Sequence, residues 1–223
     1  MNILFTPVEI RVLGCLVEKE STTPEGYPLS LNSLTRACNQ KSNREPVMDL
    51  SEATVLEAIE NLIKYTLVSN RSGSEGRVLK YSHRLQDRRD EEFDFNKAEL
   101  AVLSTLFLHG PQTLGQIRTR CSRIHNFNDL QSLSETLKRL TDRPNGPYIK
   151  EIARHPGQKE PRFTHLFTGD VVDETPTGST AQQLNNLDDS TARITELEFK
   201  VSKMQKDLTE LELRLNEFVK QFE

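Results

Sequence analysis

Apolar positions fall at helical spacing in six stretches of the chain, and the six form two sets of three. In TPVEIRVLGCLVEKE, residues 6–20, apolar residues cluster at 10, 12/13 and 16/17, the spacing of an amphipathic helix. NKAELAVLSTLFLHG, residues 96–110, repeats the pattern at an offset of 90, so that Glu9 meets Glu99, Val12 meets Val102, Leu13 meets Leu103 and Leu16 meets Leu106. Each stretch opens on a residue suited to an N-cap, Thr6 or Asn96, with Glu three positions on, the spacing of a capping box. LNSLTRACN at 31–39 then matches LGQIRTRCS at 114–122, with Leu31, Leu34 and Cys38 against Leu114, Ile117 and Cys121. The offset drops to 83 because the first copy carries TTPEGYP, whose prolines and glycine cannot continue a helix. A third pair, SEATVLEAIENLIK at 51–64 and DLQSLSETLKRLTD at 129–142, places Val55, Ile59 and Leu62 against Leu133, Leu137 and Leu140.

A hairpin pattern follows each third helix, with bends at Gly73 and Gly76 in the first copy and at Pro156 and Gly157 in the second. The chain therefore predicts helices near 6–19, 31–40 and 51–64 with a hairpin over 67–84. It predicts helices near 96–109, 113–124 and 128–142 with a hairpin over 148–167. Three helices and a two-stranded hairpin make the winged-helix plan, a member of the helix-turn-helix group. The expected fold class is mainly α with small β-hairpins (α+β), in two tandem winged-helix domains over 1–85 and 96–168. QDRRDEEFDF, residues 86–95, reads as a linker whose charge run is a solvated connection.

Beyond residue 168 the pattern changes twice. GDVVDETPTGSTAQQ, 169–183, has no period and reads as a flexible linker. Over 184–223 a heptad repeat sets in. With Leu187 as position a, the seam runs through Ile194, Leu197, Val201, Met204, Leu208, Leu211, Leu215, Phe218 and Phe222. This predicts a C-terminal coiled-coil helix, for which a homodimer is the first expectation. Docking onto the chain's own domains, or onto another protein, is the alternative.

Composition narrows the class. The 223 residues are 28% charged and 35% hydrophobic, with no apolar run of the length a membrane span needs. The N-terminus lacks the basic and apolar regions of a secretory signal. Cys15, Cys38 and Cys121 are odd in number and far apart, and no CxxC occurs, which suits reduced core thiols in a cytoplasmic protein. The net charge of −4 resides in the tail. Residues 171–223 carry 6 Lys and Arg against 11 Asp and Glu, whereas the two repeats are nearly balanced. No phosphate loop, nucleophile elbow or HExxH is found, so neither an enzyme nor a cofactor or metal site is expected.

The remaining candidate chemistry is cationic. ACNQKSNREPVM, 37–48, joins the second and third helices, with Arg36, Lys41 and Arg44 interleaved with amides. In the second copy Arg118, Arg120 and Arg123 lie on the corresponding helix, around an apolar stripe of Ile117, Cys121 and Ile124. These six are the candidate contacts to the phosphates of duplex DNA; the structural alternative is that the amides cap helices and Arg44 pairs with a nearby acid. Against a simple DNA reader stands the third helix of the first copy, with Glu52, Glu57 and Glu60 against Lys64.

VEKESTTPEGYPLS at 17–30 and ACNQKSNREPVMDLSE at 37–52 resemble the YceH-type family of uncharacterised bacterial proteins, and the resemblance covers about residues 4–170. It implies tandem winged-helix domains and no established activity, so it transfers no functional residue. Two readings follow: a DNA-binding or transcription-associated factor, or a protein–protein adaptor that binds a partner through its winged domains and assembles through its coiled coil.

Overall fold

The computed structural model describes residues 4–72, 78–86, 93–152 and 160–169. The two hairpin bends, the charge run at 87–92 and the coiled-coil seam from Ile194 to Phe222 lie outside the described residues.

Each half begins with a long helix set by its cap. α1, Pro7–Thr22, is capped by Thr6, whose hydroxyl accepts the Glu9 N–H while the Glu9 carboxylate accepts the Thr6 N–H. α4, Lys97–His109, repeats this box with Asn96 and Glu99, both bonds at 3.0 Å. α1 runs three residues past its predicted end and stops where Pro24 opens a single 3₁₀ turn, Pro24–Gly26.

Short strands follow that the hydrophobic pattern does not reveal: β1, Leu29–Ser30, and β4, Gln112–Thr113. Two residues are too few to show alternation. In each case the second strand residue also caps the next helix, Ser30 for α2, Leu31–Cys38, and Thr113 for α5, Leu114–Cys121. Ser51 caps α3, Glu52–Lys64, and Asp129 caps α6, Leu130–Thr141. The hairpins are β2, Val68–Ser72, with β3, Leu79–His83, and β5, Ile149–Ile152, with β6, Arg162–His165. Both sheets are antiparallel, ordered β1-β3-β2 and β4-β6-β5, with Leu29 opposite Tyr81 and Gln112 opposite Phe163. The described residues thus form an α+β structure of six α-helices and two small sheets, the same element order occurring twice. Among them no helix is long and apolar enough to cross a membrane.

Residues 1–171 make one compact unit with a continuous hydrophobic core drawn from both halves. α1 and α4 meet at Gly14, where a Cβ would stand 2.9 Å from Leu108 Cδ2 and 3.0 Å from Phe107 Cβ. Ser104 Oγ donates to the Gly14 carbonyl at 3.1 Å. Ser104 is the counterpart of Gly14 at the repeat offset of 90, and repeat-equivalent residues that touch mark an approximate two-fold axis. The ends obey the same relation. The Phe5 N–H donates to Phe167 O and the Phe95 N–H to Leu85 O, each at 2.8 Å. The aromatic end of the 86–95 segment is buried rather than solvated, since Phe93 and Phe95 are only 4% and 1% exposed. Phe93 packs with Phe5, Tyr148 and Phe167 at centroid distances of 6.1 to 6.5 Å, and burying such rings outweighs keeping a connection in water. All three cysteines are free and buried, as their apolar helical positions predict.

Two outcomes are expected from this packing. Gly14→Val inserts branched carbon into the tightest point between α1 and α4 and should cost about 1–3 kcal/mol in urea denaturation. Alanine is less informative, because its helix propensity offsets about 1 kcal/mol of any strain. His165 packs edge-on against Phe107 at 5.2 Å, its Nδ1 has no hydrogen-bond partner, and burial pushes its pKa down to about 4. The unfolded chain therefore takes up this proton first. The contribution of His165 to stability should be intact above about pH 6.5 and be lost as pH falls towards 4. His165→Leu should flatten the dependence of unfolding free energy on pH in that window.

Candidate nucleic-acid interface

The segment 37–48 is built around two buried guanidiniums. α2 ends at Cys38, and its last carbonyls need donors at the negative end of the helix dipole. Arg44 supplies one through Nε to Ala37 O at 3.0 Å, and Arg11, reaching from α1, supplies another through Nη1 to Cys38 O at 3.1 Å. Arg11 Nη2 continues to Pro46 O at 2.6 Å. Arg44 grips the Glu18 carboxylate with both terminal nitrogens, at 3.2 and 2.5 Å, and also donates to Asn43 O. Asn39 exchanges two 2.8 Å bonds with the Leu50 backbone, and the Glu45 N–H donates to Leu108 O at 2.7 Å. The loop is fastened to α1, α2 and α4 by these contacts.

The six sequence-predicted cations therefore divide. Arg44 is 5% exposed with its donors directed into the protein, so its geometry is that of the structural alternative, with Glu18 of α1 as the acid. Arg36 and Lys41 are exposed. Arg118 is exposed and donates to Asn128 O at 3.0 Å, and Arg123 is exposed and makes no ion pair among the described residues. Arg120 is half-buried, with Nη1 2.8 Å from His109 Nδ1. Burial, reinforced by the charges of Arg120 and Arg44, pushes the His109 pKa down to about 4, so the ring is neutral at pH 7. The same Nη1 also lies 3.3 Å from His109 Nε2.

α5 closes differently from α2. The Cys121 carbonyl, counterpart of that of Cys38, accepts the backbone N–H groups of Ile124 and His125 at 2.8 Å each. No arginine is needed there, and Arg118 and Arg123 stay exposed while Arg120 turns to His109. The third helices differ too. α3 exposes Glu52, Glu57, Glu60 and Lys64, whereas α6 exposes Gln131, Ser134, Glu135, Lys138 and Arg139. Arg139 also approaches Glu99 at 3.5 Å.

Sequence reasoning passed over Arg11, Glu18 and His109 as parts of this junction. The signal lay in the repeat alignment, where Arg11 takes the slot of buried Ala101 and Glu18 that of buried Leu108. A charged residue in a slot that is apolar in the other copy needs a buried partner. The two repeat-related histidines, His83 and His165, serve packing and hydrogen bonding. His83 Nε2 lies 2.8 Å from Glu20, and that bond holds the Glu20 carboxyl below its ordinary range.

Glu18→Ala should leave Arg44 buried without its counter-charge. A loss of about 3–5 kcal/mol is expected in urea denaturation, against about 0.5 kcal/mol or less for Arg36→Ala on the surface.

Residues 5–158 match a family described as "Protein of unknown function, DUF480". A UPF0502 protein of Enterobacter sp. (strain 638) is 43% identical over 219 residues, spanning 97% of this chain and 100% of the relative. The UPF0502 proteins YceH of Salmonella newport and Salmonella enteritidis PT4 are 43% identical over 217 residues, with the same coverage. The similarity thus takes in the acidic tail as well as the repeats. The chain belongs to the DUF480 family of uncharacterised bacterial proteins, in company with YceH.

Proposed function

We propose that each half is a winged helix and that the protein is a cytoplasmic, DNA-binding, transcription-associated factor whose second half meets the duplex. The element order helix, strand, helix, helix, strand, strand, with the last strand central in the sheet, supports the winged-helix reading. The observation that carries the DNA reading is the contrast between the third helices. The outward face of α6 offers Gln131, Ser134 and Lys138 around one exposed acid, Glu135, with exposed Arg118 of α5 reaching Asn128 O just ahead of the helix. Amides and hydroxyls suit base edges and backbone, and the cations suit phosphates. α3 presents three glutamates and would repel the same phosphates. Those glutamates favour one second reading, an adaptor whose α3 docks a basic protein surface. In either reading the coiled-coil tail assembles two copies.

Arg118→Ala with Lys138→Ala tests the proposal. Each phosphate contact adds roughly −0.9 to the slope of log K against log salt, so the double variant should bind every duplex more weakly and with a slope flatter by about two. An unaltered slope, or no duplex binding by the intact protein at low salt, removes the DNA reading and leaves the adaptor.

A further inference from the structure

The junction of the halves forms an open recess of about 460 Å³ to which both contribute, Glu18 and Asn43 from the first and His109, Gln116, Arg120 and Arg123 from the second. Its volume lies in the range of small-molecule sites. We propose that this cavity binds a phosphorylated small molecule of nucleotide size, held by its phosphoryl groups.

The donors left uncommitted in its wall decide which ligand it suits. The one carboxylate in the wall, Glu18, is gripped by both terminal nitrogens of Arg44, so its charge is already compensated. Arg120 and Arg123 have no carboxylate partner among the described residues. Arg120 is braced instead by the neutral His109 ring at 2.8 Å, which orients the guanidinium without cancelling its charge. Gln116 is oriented as well. Its Oε1 accepts the Thr113 N–H at 3.0 Å, which leaves the amide nitrogen free to donate. Asn43, at φ 56, occupies the left-handed region that its side chain tolerates, and its amide makes no hydrogen bond among the described residues. Two guanidiniums and two amides around one recess, with the acid already neutralised, form a donor set for a polyanion rather than for a cation or an apolar ligand. The cavity is also absent from either half alone, because its walls come from the 41–45 loop and α1 on one side and from α4 and α5 on the other. A ligand seated there ties the halves together.

The site does not depend on the DNA reading, and phosphate chemistry alone does not separate a free ligand from a duplex backbone. The test therefore has separate arms. The intact protein is titrated calorimetrically with pyrophosphate, with ADP and with a short duplex, at constant ionic strength. Saturable 1:1 binding of pyrophosphate or ADP is expected, accompanied by a rise in Tm. Arg123→Gln, at an exposed position, keeps the fold and should bind roughly tenfold or more weakly; Arg120→Gln with Arg123→Gln should show no saturable binding. The Arg118→Ala, Lys138→Ala variant should bind ADP or pyrophosphate as the intact protein does, whatever it does to DNA. Absence of saturable binding of both small probes overturns the proposal. So does binding that Arg123→Gln leaves unchanged. If the duplex alone binds and loses affinity in Arg123→Gln, these arginines serve a nucleic-acid backbone and the pocket is likewise overturned.

Discussion

The close approach of α1 to α4 at Gly14 is the constraint on which the rest of the unit depends. Each of these helices is buried along most of its length, which neither small half achieves with its own three-stranded sheet and two short helices. The missing cover is the equivalent helix of the other half. Backbone contact at this depth requires a residue without a side chain on one helix of the pair, and a small hydroxyl on the other that donates to the Gly14 carbonyl. Once the two helices are locked at that distance, the ends of each half fall beside those of the other, and the 41–45 loop is carried onto the end of α4.

Most of the fold was legible because it was written twice. Capping boxes at Thr6 and Asn96, and the Leu, Ile and Cys faces of the second helices, gave helix positions to within a few residues. The two-residue strands were not legible, since their pairing is fixed by strands some fifty residues away and not by any local period. The burial of Phe93 and Phe95 was masked in the same way. Six charged residues precede them, and a window dominated by charge reads as solvent-facing even when its end is aromatic.

The candidate site was less legible, for a reason of chemistry. Arginine has the same sequence signature whether it faces phosphate or caps a helix. Arg44 and Arg123 look alike in the sequence, but one is surrounded by carbonyls and a carboxylate and the other is exposed. What separates them is the manner in which the preceding helix ends. Where backbone N–H groups turn back onto the last carbonyl, as at Cys121, that carbonyl needs no guanidinium, and Arg123 stays at the surface. Where they do not, as at Cys38, arginines are drawn inward. The two copies thus differ in how the second helix ends, and that difference decides whether a following arginine is spent on the helix terminus or left outside.

The bond from the Phe5 N–H to Phe167 O joins residues at opposite ends of the repeats. A chain emerging from the ribosome presents Phe5 and the Gly14 face of α1 long before their partners exist. At a synthesis rate of roughly 5–20 residues per second, that interval lasts on the order of ten seconds or more. The Gly14 face gains its cover once α4 has been made, but the Phe5 end of the core stays open until residue 167 has been translated, so the first half completes its core last at its own beginning.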